Sequence, residues 1–270
     1  MDHKLAEAIK NWFELQTGTI TAFSGGIDST LVLYLSRMYL DCDKAIGVMS
    51  NSESLKNKDY RLAIDFAKEN DIKLETIYTN ELADTNYNTN PANRCYFCKS
   101  HLYKALEKIK TKYPDYTILN GTNKDDFSDY RPGMIAADEN QIRSPLADLN
   151  LGKDDIRSLA KYFGIKFWDK PASPCLSSRI PYGAKVTANK LDQIEKAENV
   201  LNDFGFNNVR IRHYGKFCKI EVPLNEIHHL RKLSTKIFPL IKAVGFQECI
   251  IEKDGLISGK LNNVLNLHHG

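Results

Sequence analysis

The chain has 270 residues, 42% of them hydrophobic and 26% charged, a balance that excludes a disordered, collagen-like or coiled-coil protein. Thirty-seven Lys and Arg against 34 Asp and Glu leave a formal charge of +3, which argues against a nucleic acid partner but leaves room for a local pocket that binds a small anion. Six cysteines are too few for a disulfide scaffold; with no signal peptide and no apolar run of about 18 residues, the expected setting is the reducing cytoplasm, away from membranes.

In chain order, apolar Leu5, Ala8, Ile9, Trp12 and Phe13 predict a helix over 2–16. A short strand follows at 19–23, then a sharp turn at Ser24-Gly25-Gly26, then a helix over 27–40 whose stripe is Ile27, Leu31, Val32, Leu35 and Met38. The alternation continues with strand 45–49, helix 56–69, strand 73–78, helix 96–110, strand 116–119 and helix 154–163, which leads into 165–168. Strands alternating with helices of this length imply βαβ crossovers and a parallel sheet covered on both faces. Residues 170–183 (KPASPCLSSRIPYG) hold three prolines and read as a loop between two bodies, giving an α/β domain over 1–170 and a linker plus smaller domain over 171–270. Beyond it the order is helix 190–204, strand 208–213, strand 217–222, helix 225–244 and strand 247–252, an α+β pattern.

The run Ser24-Gly25-Gly26-Ile27-Asp28-Ser29 sits at the carboxyl end of a strand and the start of a helix, where open α/β folds bind ligands. Two glycines permit positive φ and remove Cβ atoms, so backbone N–H groups can converge on an oxyanion beside the positive end of the helix dipole. Ser24 and Ser29 offer hydroxyls, and Asp28 can cap the helix or hold Mg²⁺. The run is neither a Walker A sequence nor the G-x-G-x-x-G fingerprint. S-G-G-x-D-S after a first strand resembles the pyrophosphate loop of the ATP pyrophosphatases, which adenylate an oxygen, release pyrophosphate and let a nucleophile displace AMP.

Asn51-Ser52-Glu53, Asp129-Tyr130-Arg131-Pro132-Gly133, the run from Cys175 to Gly183 and Val209-Arg210-Ile211-Arg212 narrow the likeness. Together they resemble the LarE family of ATP-dependent sulfur transferases, from about Ile20 to the last strand. That resemblance implies a pyridinium dicarboxylate mononucleotide as small-molecule substrate, whose carboxylate is adenylated and converted to a thiocarboxylate on the way to the nickel-pincer nucleotide of lactate racemase. It places ATP against Ser24, Gly25, Gly26, Asp28, Ser29 and Asn51. Gly121, after another strand end, is expected to line the nucleotide pocket, and Asp126 and Asp129 are candidates for Mg²⁺ or substrate contacts, with a turn-and-cap role an equal alternative.

In one branch of that family a cysteine at the position of Cys175 gives up its own sulfur. This chain departs from that pattern by carrying Cys95 and Cys98, and three thiolates can hold a [4Fe–4S] cluster with one iron left open. By resemblance to cluster-dependent relatives, Cys95, Cys98 and Cys175 hold such a cluster, Cys175 is catalytic, and an external sulfide donor reloads the site. Structural zinc with His101 as a fourth ligand, a redox dithiol, and Cys175 acting alone are the competing uses of these thiols. Cys218 and Cys249 fit a strand core, and Cys42 carries no assigned role.

Arg210 and Arg212, two apart on a strand, point to one face and can clamp a phosphate; solvated arginines are the alternative. Lys99, Ser178 and Arg179 lie beside the cysteines and are assigned to the substrate with them. A homo-oligomer is expected. Competing functions are a tRNA-thiolating enzyme, a zinc-stabilised nucleotide-binding module, and an amide-forming relative that would need a glutaminase domain not visible in the chain.

Overall fold

A computed structural model describes residues 3–128, 131–257 and 259–261. The described residues up to Glu81 together with Cys95–Ser173 form one unit, and Leu82–Arg94 with the described residues from Pro174 onward form another. The segment 82–94, which sequence order alone assigns to the first body, therefore packs with the second.

The first unit opens with α1 (His3–Glu14), β1 (Thr19–Ala22), α2 (Ile27–Tyr39), β2 (Ala45–Ser50), α3 (Asn57–Glu69) and β3 (Lys73–Ile77). The short α4 (Thr85–Asn88) belongs to the second unit, and α5 (Arg94–Lys110) begins at the crossing point. The first unit continues with β4 (Thr117–Leu119), α6 (Gly133–Glu139), α7 (Pro145–Asp148) and α8 (Lys153–Tyr162). Its four strands are all parallel, in the order β3-β2-β1-β4. β1 is buried at every residue, as a central strand between two helical layers must be. One layer packs Ile9, Phe13, Leu31, Leu35, Phe66, Ile156 and Leu159; the other packs Tyr103, Leu106, Ile109, Ala136 and Ile142.

The strand order reverses direction between β1 and β4, so the crevice at their carboxyl ends is a topological switch point. Gly121, just past β4, sits there against the first turn of α2. A Cβ at 121 would lie 2.6 Å from the Ser29 amide nitrogen and 3.0 Å from the Asp28 carbonyl carbon. Only hydrogen fits between these backbones.

The second unit holds α9 (Ala188–Asp203), β5 (Arg210–Tyr214), β6 (Phe217–Glu221), α10 (Ile227–Ala243) and β7 (Glu248–Ile251). β5 pairs antiparallel with β6, and β6 pairs parallel with β7. Ile194, Leu201, Ile211, Ile220, Leu230, Ile237 and Phe246 are buried in its core, as are Cys218 and Cys249, which stand opposite each other in β6 and β7. Gly121→Ala is expected to destabilise the protein by about 1–3 kcal/mol, the usual cost of overpacking, because backbone must move to admit the methyl. Urea unfolding that lowers the midpoint at unchanged slope would establish this.

Candidate active site

The turn after β1 is built by its own residues. Gly25 adopts φ +71°, a left-handed conformation open to glycine, and Gly26 precedes α2 in an extended conformation with no side chain capping the helix. Asp28 is thus not a cap. The Ser29 hydroxyl, 4% exposed, donates to the Gly26 carbonyl at 3.1 Å, shares a 3.0 Å hydrogen bond with the Ser24 hydroxyl and accepts the Ser24 amide at 3.2 Å. Thr30 Oγ1 donates to the same Gly26 carbonyl at 2.8 Å. The two serines lock the loop so that the first turn of α2 presents its amides uncapped. Asn51 at the end of β2, held by its amide to the Ile77 carbonyl at 2.8 Å, and Gly121 after β4 stand at the same carboxyl edge of the sheet.

Burial pushes the Asp28 carboxyl up to about 6, with the Asp126 charge adding to the rise and Lys153, Arg131 and Arg157 opposing it. Asp126 is 5% exposed; it accepts the Asn123 amide at 3.1 Å and lies 2.9 Å from an Arg131 guanidinium nitrogen. Asp125 accepts the Lys153 amide at 2.7 Å. The turn role foreseen for Asp126 is therefore realised, and Arg131 supplies the basic neighbour. Asp129 and Tyr130 lie outside the described residues. Among the described residues no three His, Cys, Asp or Glu side chains form a group able to hold a metal ion.

Cys95 is not in a loop ahead of the helix: α5 starts at Arg94, whose amide donates to the Pro91 carbonyl at 3.0 Å, so Cys95 and Cys98 lie one turn apart on one helix face. Lys99 follows, and its stem packs on α6, where a Cβ at Gly133 would come within 3.0 Å of Lys99 Cγ and 3.6 Å of the Cys95 carbonyl oxygen. The Arg131-Pro132-Gly133 stretch is thereby brought against the cysteine helix. None of the six cysteines is in a disulfide.

In the second unit, half-buried Cys175 precedes a 3₁₀ turn, Leu176–Arg179. Arg179, 1% exposed, donates to the carbonyls of Pro174 at 2.7 Å and Cys175 at 3.3 Å, to the Ser178 hydroxyl at 2.9 Å, and to Glu198 at 2.8 Å. Arg212 donates to the Ser178 carbonyl at 2.8 Å and to Glu221 at 2.9 Å. Asn90 donates to the carbonyls of Ile180, Pro181 and Ala184, and Arg94 donates to Asn90 and, at 3.0 Å, to the Ser177 carbonyl. Ser178, Arg179 and Arg212 thus frame the Cys175 turn. Arg210 differs: it is 9% exposed, and among the described residues its guanidinium has no carboxylate partner. Burial lowers its pKa first and the charges of Arg212 and Arg179 lower it further, while Glu221 and Glu198 oppose them.

Glu198, Asn90, Arg94 and Asp59 carried no role in the sequence. A usable signal existed for two of them. Glu198 falls on the apolar stripe Leu191, Ile194, Ala197, Leu201 of α9, and Asp59 on the stripe Ala63, Phe66, Ala67 of α3, positions where a carboxylate is buried and must be paired.

Asp28→Asn is expected to raise stability by about 1–2 kcal/mol at pH 7.5, since a folded pKa above the unfolded value makes ionisation costly as pH rises through that window. The gain disappears below about pH 4, where the native carboxyl is protonated in both states. Thermal melts at the two pH values check the sign.

Residues 5–108 match a family model described as NAD synthase. The chain is 38% identical over 261 residues to an uncharacterized protein of Synechocystis sp., covering 96% of this chain and 97% of that one. It is 29% identical over 248 residues to an uncharacterized protein of Methanocaldococcus jannaschii, covering 92% and 94%. Against the pyridinium-3,5-bisthiocarboxylic acid mononucleotide synthase of Lactiplantibacillus plantarum it is 33% identical over 252 residues, covering 93% of this chain and 91% of the synthase. With an uncapped S-G-G-x-D-S turn at the switch point of a parallel sheet and a likeness that runs through both units, the chain belongs to the LarE family, that of this mononucleotide synthase.

Proposed function

We propose that this protein uses ATP to adenylate a carboxylate of pyridinium-3,5-biscarboxylic acid mononucleotide and then converts it to a thiocarboxylate. The observation that carries the proposal is the uncapped α2 terminus behind Ser24–Ser29, in a chain one-third identical to a synthase of the bisthiocarboxylic product. A carboxylate is a poor electrophile because its oxygen leaves badly; AMP leaves readily. The amides of Gly26 and the first turn of α2 would stabilise charge gathering on the departing pyrophosphate. Asp28, with Asp126 behind it, suits an accompanying Mg²⁺, which would neutralise the phosphates. Its raised pKa is what a carboxylate placed to meet a cation shows without one.

Arg210 would bind the substrate phosphate, because a guanidinium that is nine-tenths buried and, among the described residues, in no ion pair is stabilised by an anionic ligand. Arg179 and Arg212 would hold the Cys175 turn rigid, and Lys99 would face the acyl group beside Cys98. Sulfur is the step with a choice of source. Cys95, Cys98 and Cys175 would supply the three thiolates that a [4Fe–4S] cluster with one open iron needs; all three are outside any disulfide, and two share one helix face. Such a cluster would supply sulfide at its open iron, reloaded by an external sulfide donor, and the protein would turn over repeatedly.

Anaerobically purified protein is expected to contain about four irons with matching acid-labile sulfide, lost in Cys98→Ser. Cys175→Ala should abolish thiocarboxylate formation while pyrophosphate release persists; thiolation retained by that variant would overturn the assignment. Iron-free protein that loses the mass of H₂S at Cys175 after one turnover would instead identify a sacrificial cysteine. Arg210→Ala should raise the KM for the mononucleotide by about 10-fold or more, the worth of a charge-assisted hydrogen bond, and leave the KM for ATP unchanged.

A further inference from the structure

Lys170 is the last cation before the first unit ends, and its side chain is only 18% exposed. Its ammonium lies 2.8 Å from Asp59 Oδ1 and 3.5 Å from the carbonyl oxygen of Gly25, within the turn that follows β1. The other oxygen of Asp59 accepts the Ser173 hydroxyl at 2.6 Å. Burial alone would push the Asp59 carboxyl up, but the hydrogen bonds from Lys170 and Ser173 and the charges of Lys170 and Lys56 outweigh it and hold the group below its ordinary range, so it is ionised at neutral pH. The first turn of α3 also underlies the loop directly. A Cβ on Gly25 would meet the Asp59 carbonyl oxygen at 3.2 Å and Ala63 Cβ at 3.3 Å.

The chemical consequence follows from the planarity of the peptide. In a trans peptide the C=O of Gly25 and the N–H of Gly26 point to opposite sides of one rigid plane. An ammonium 3.5 Å from the Gly25 oxygen, at the outer limit of a hydrogen bond, acts on this peptide through its charge: it favours the present direction of the carbonyl, hence that of the Gly26 N–H, and by withdrawing electron density strengthens that N–H as a donor. That N–H has only a long 3.4 Å contact to the Ser24 hydroxyl, which a phosphate oxygen can replace at no loss. Thr30 and Ser29 hold the next carbonyl, that of Gly26, from the helix side, so the two peptides flanking Gly26 are restrained independently.

We propose that Lys170, held by Asp59 and Ser173, is a positioning residue for pyrophosphate: it acts through the Gly25–Gly26 peptide, aiming the Gly26 N–H at the leaving group as charge develops there. This rests on ATP being the ligand of the loop. The partners of this group, Asp59, Ser173 and the Gly25 carbonyl, lie in or under the loop, so the expected effect falls on the pyrophosphate half of the reaction.

Calorimetric titration of the full-length protein with Mg·pyrophosphate and, separately, with AMP tests the assignment, using Lys170→Met, Lys170→Arg and Asp59→Asn. Lys170→Met should weaken pyrophosphate binding about tenfold, the scale of one charge-assisted contact, with AMP binding unchanged. The rate of pyrophosphate release should fall more than the KM for ATP rises, and Lys170→Arg should recover most of the loss. Lys170→Met that melts like the parent and binds pyrophosphate equally well overturns the proposal. Should Lys170→Met not fold, Asp59→Asn decides: a selective loss for pyrophosphate of about threefold supports the role, since its ammonium loses a charged anchor, and equal binding removes it. A parent protein that binds AMP, ATP and pyrophosphate not at all would overturn the ATP assignment itself, and this one with it.

Discussion

The approach of Gly121 to the Ser29 amide sets the geometry on which the first unit depends. β1 and β4 are neighbours whose crossovers leave on opposite faces of the sheet, so their carboxyl ends open a crevice instead of continuing a helical layer. Because no side chain intervenes at 121, the segment after β4 lies directly against the start of α2, and the crevice is narrow and lined by backbone. Polar groups in such a place must be satisfied locally or by a ligand. Ser24 and Ser29 satisfy the loop internally, while the helix terminus stays uncapped. A capped terminus would have been more stable by about 1 kcal/mol; leaving it open is what makes it receptive to an anion.

The second unit solves a different problem, holding an irregular turn around a thiol. Carbonyls in such a turn have no ladder to join, and buried ones need donors. Arg179 and Arg212 supply several forked donors each, and Glu198 and Glu221 neutralise them. Buried ion pairs of this type add little net stability, since desolvation offsets attraction, but breaking one partner strands a charge. Their contribution is a single geometry for the Cys175 backbone. The third arginine, Arg210, has no such ion pair among the described residues and stands directly opposite Glu221 of β6, the residue that Arg212 engages diagonally. Three guanidinium groups against two carboxylates leave one positive charge inside this frame.

Charge is treated oppositely in the two units. Around α2, burial and the neighbouring Asp126 charge push the Asp28 carboxyl up, and Lys153, Arg131 and Arg157 oppose the rise. Around β5, burial and the charges of Arg212 and Arg179 lower the Arg210 pKa, against the opposing Glu221 and Glu198. The proposed reaction of Mg·ATP with an anionic mononucleotide would use both environments, and a net charge of only +3 hides them because they cancel in the sum.

The parallel α/β body, the small α+β body and nearly every long helix and strand were legible in the sequence, because apolar periodicity and glycine turns act over a few residues. The S-G-G-x-D-S turn was legible for the same reason, as its function depends on consecutive backbone groups. Tertiary structure decided what depends on partners distant in the chain. Residues 82–94 joined the second unit because Asn90 and Arg94 bond to carbonyls some 90 positions later. Arg212, which alternation alone leaves free to meet a phosphate, was engaged by Glu221, and Arg179, set beside Cys175 by the sequence, was engaged by Glu198, whereas Arg210 was in no such pair among the described residues. Lys170 gained a place under the nucleotide loop only because α3 brings Asp59 there. Periodicity specifies which face of an element is buried; which charge meets which across that burial is set by packing, and the site depends on it.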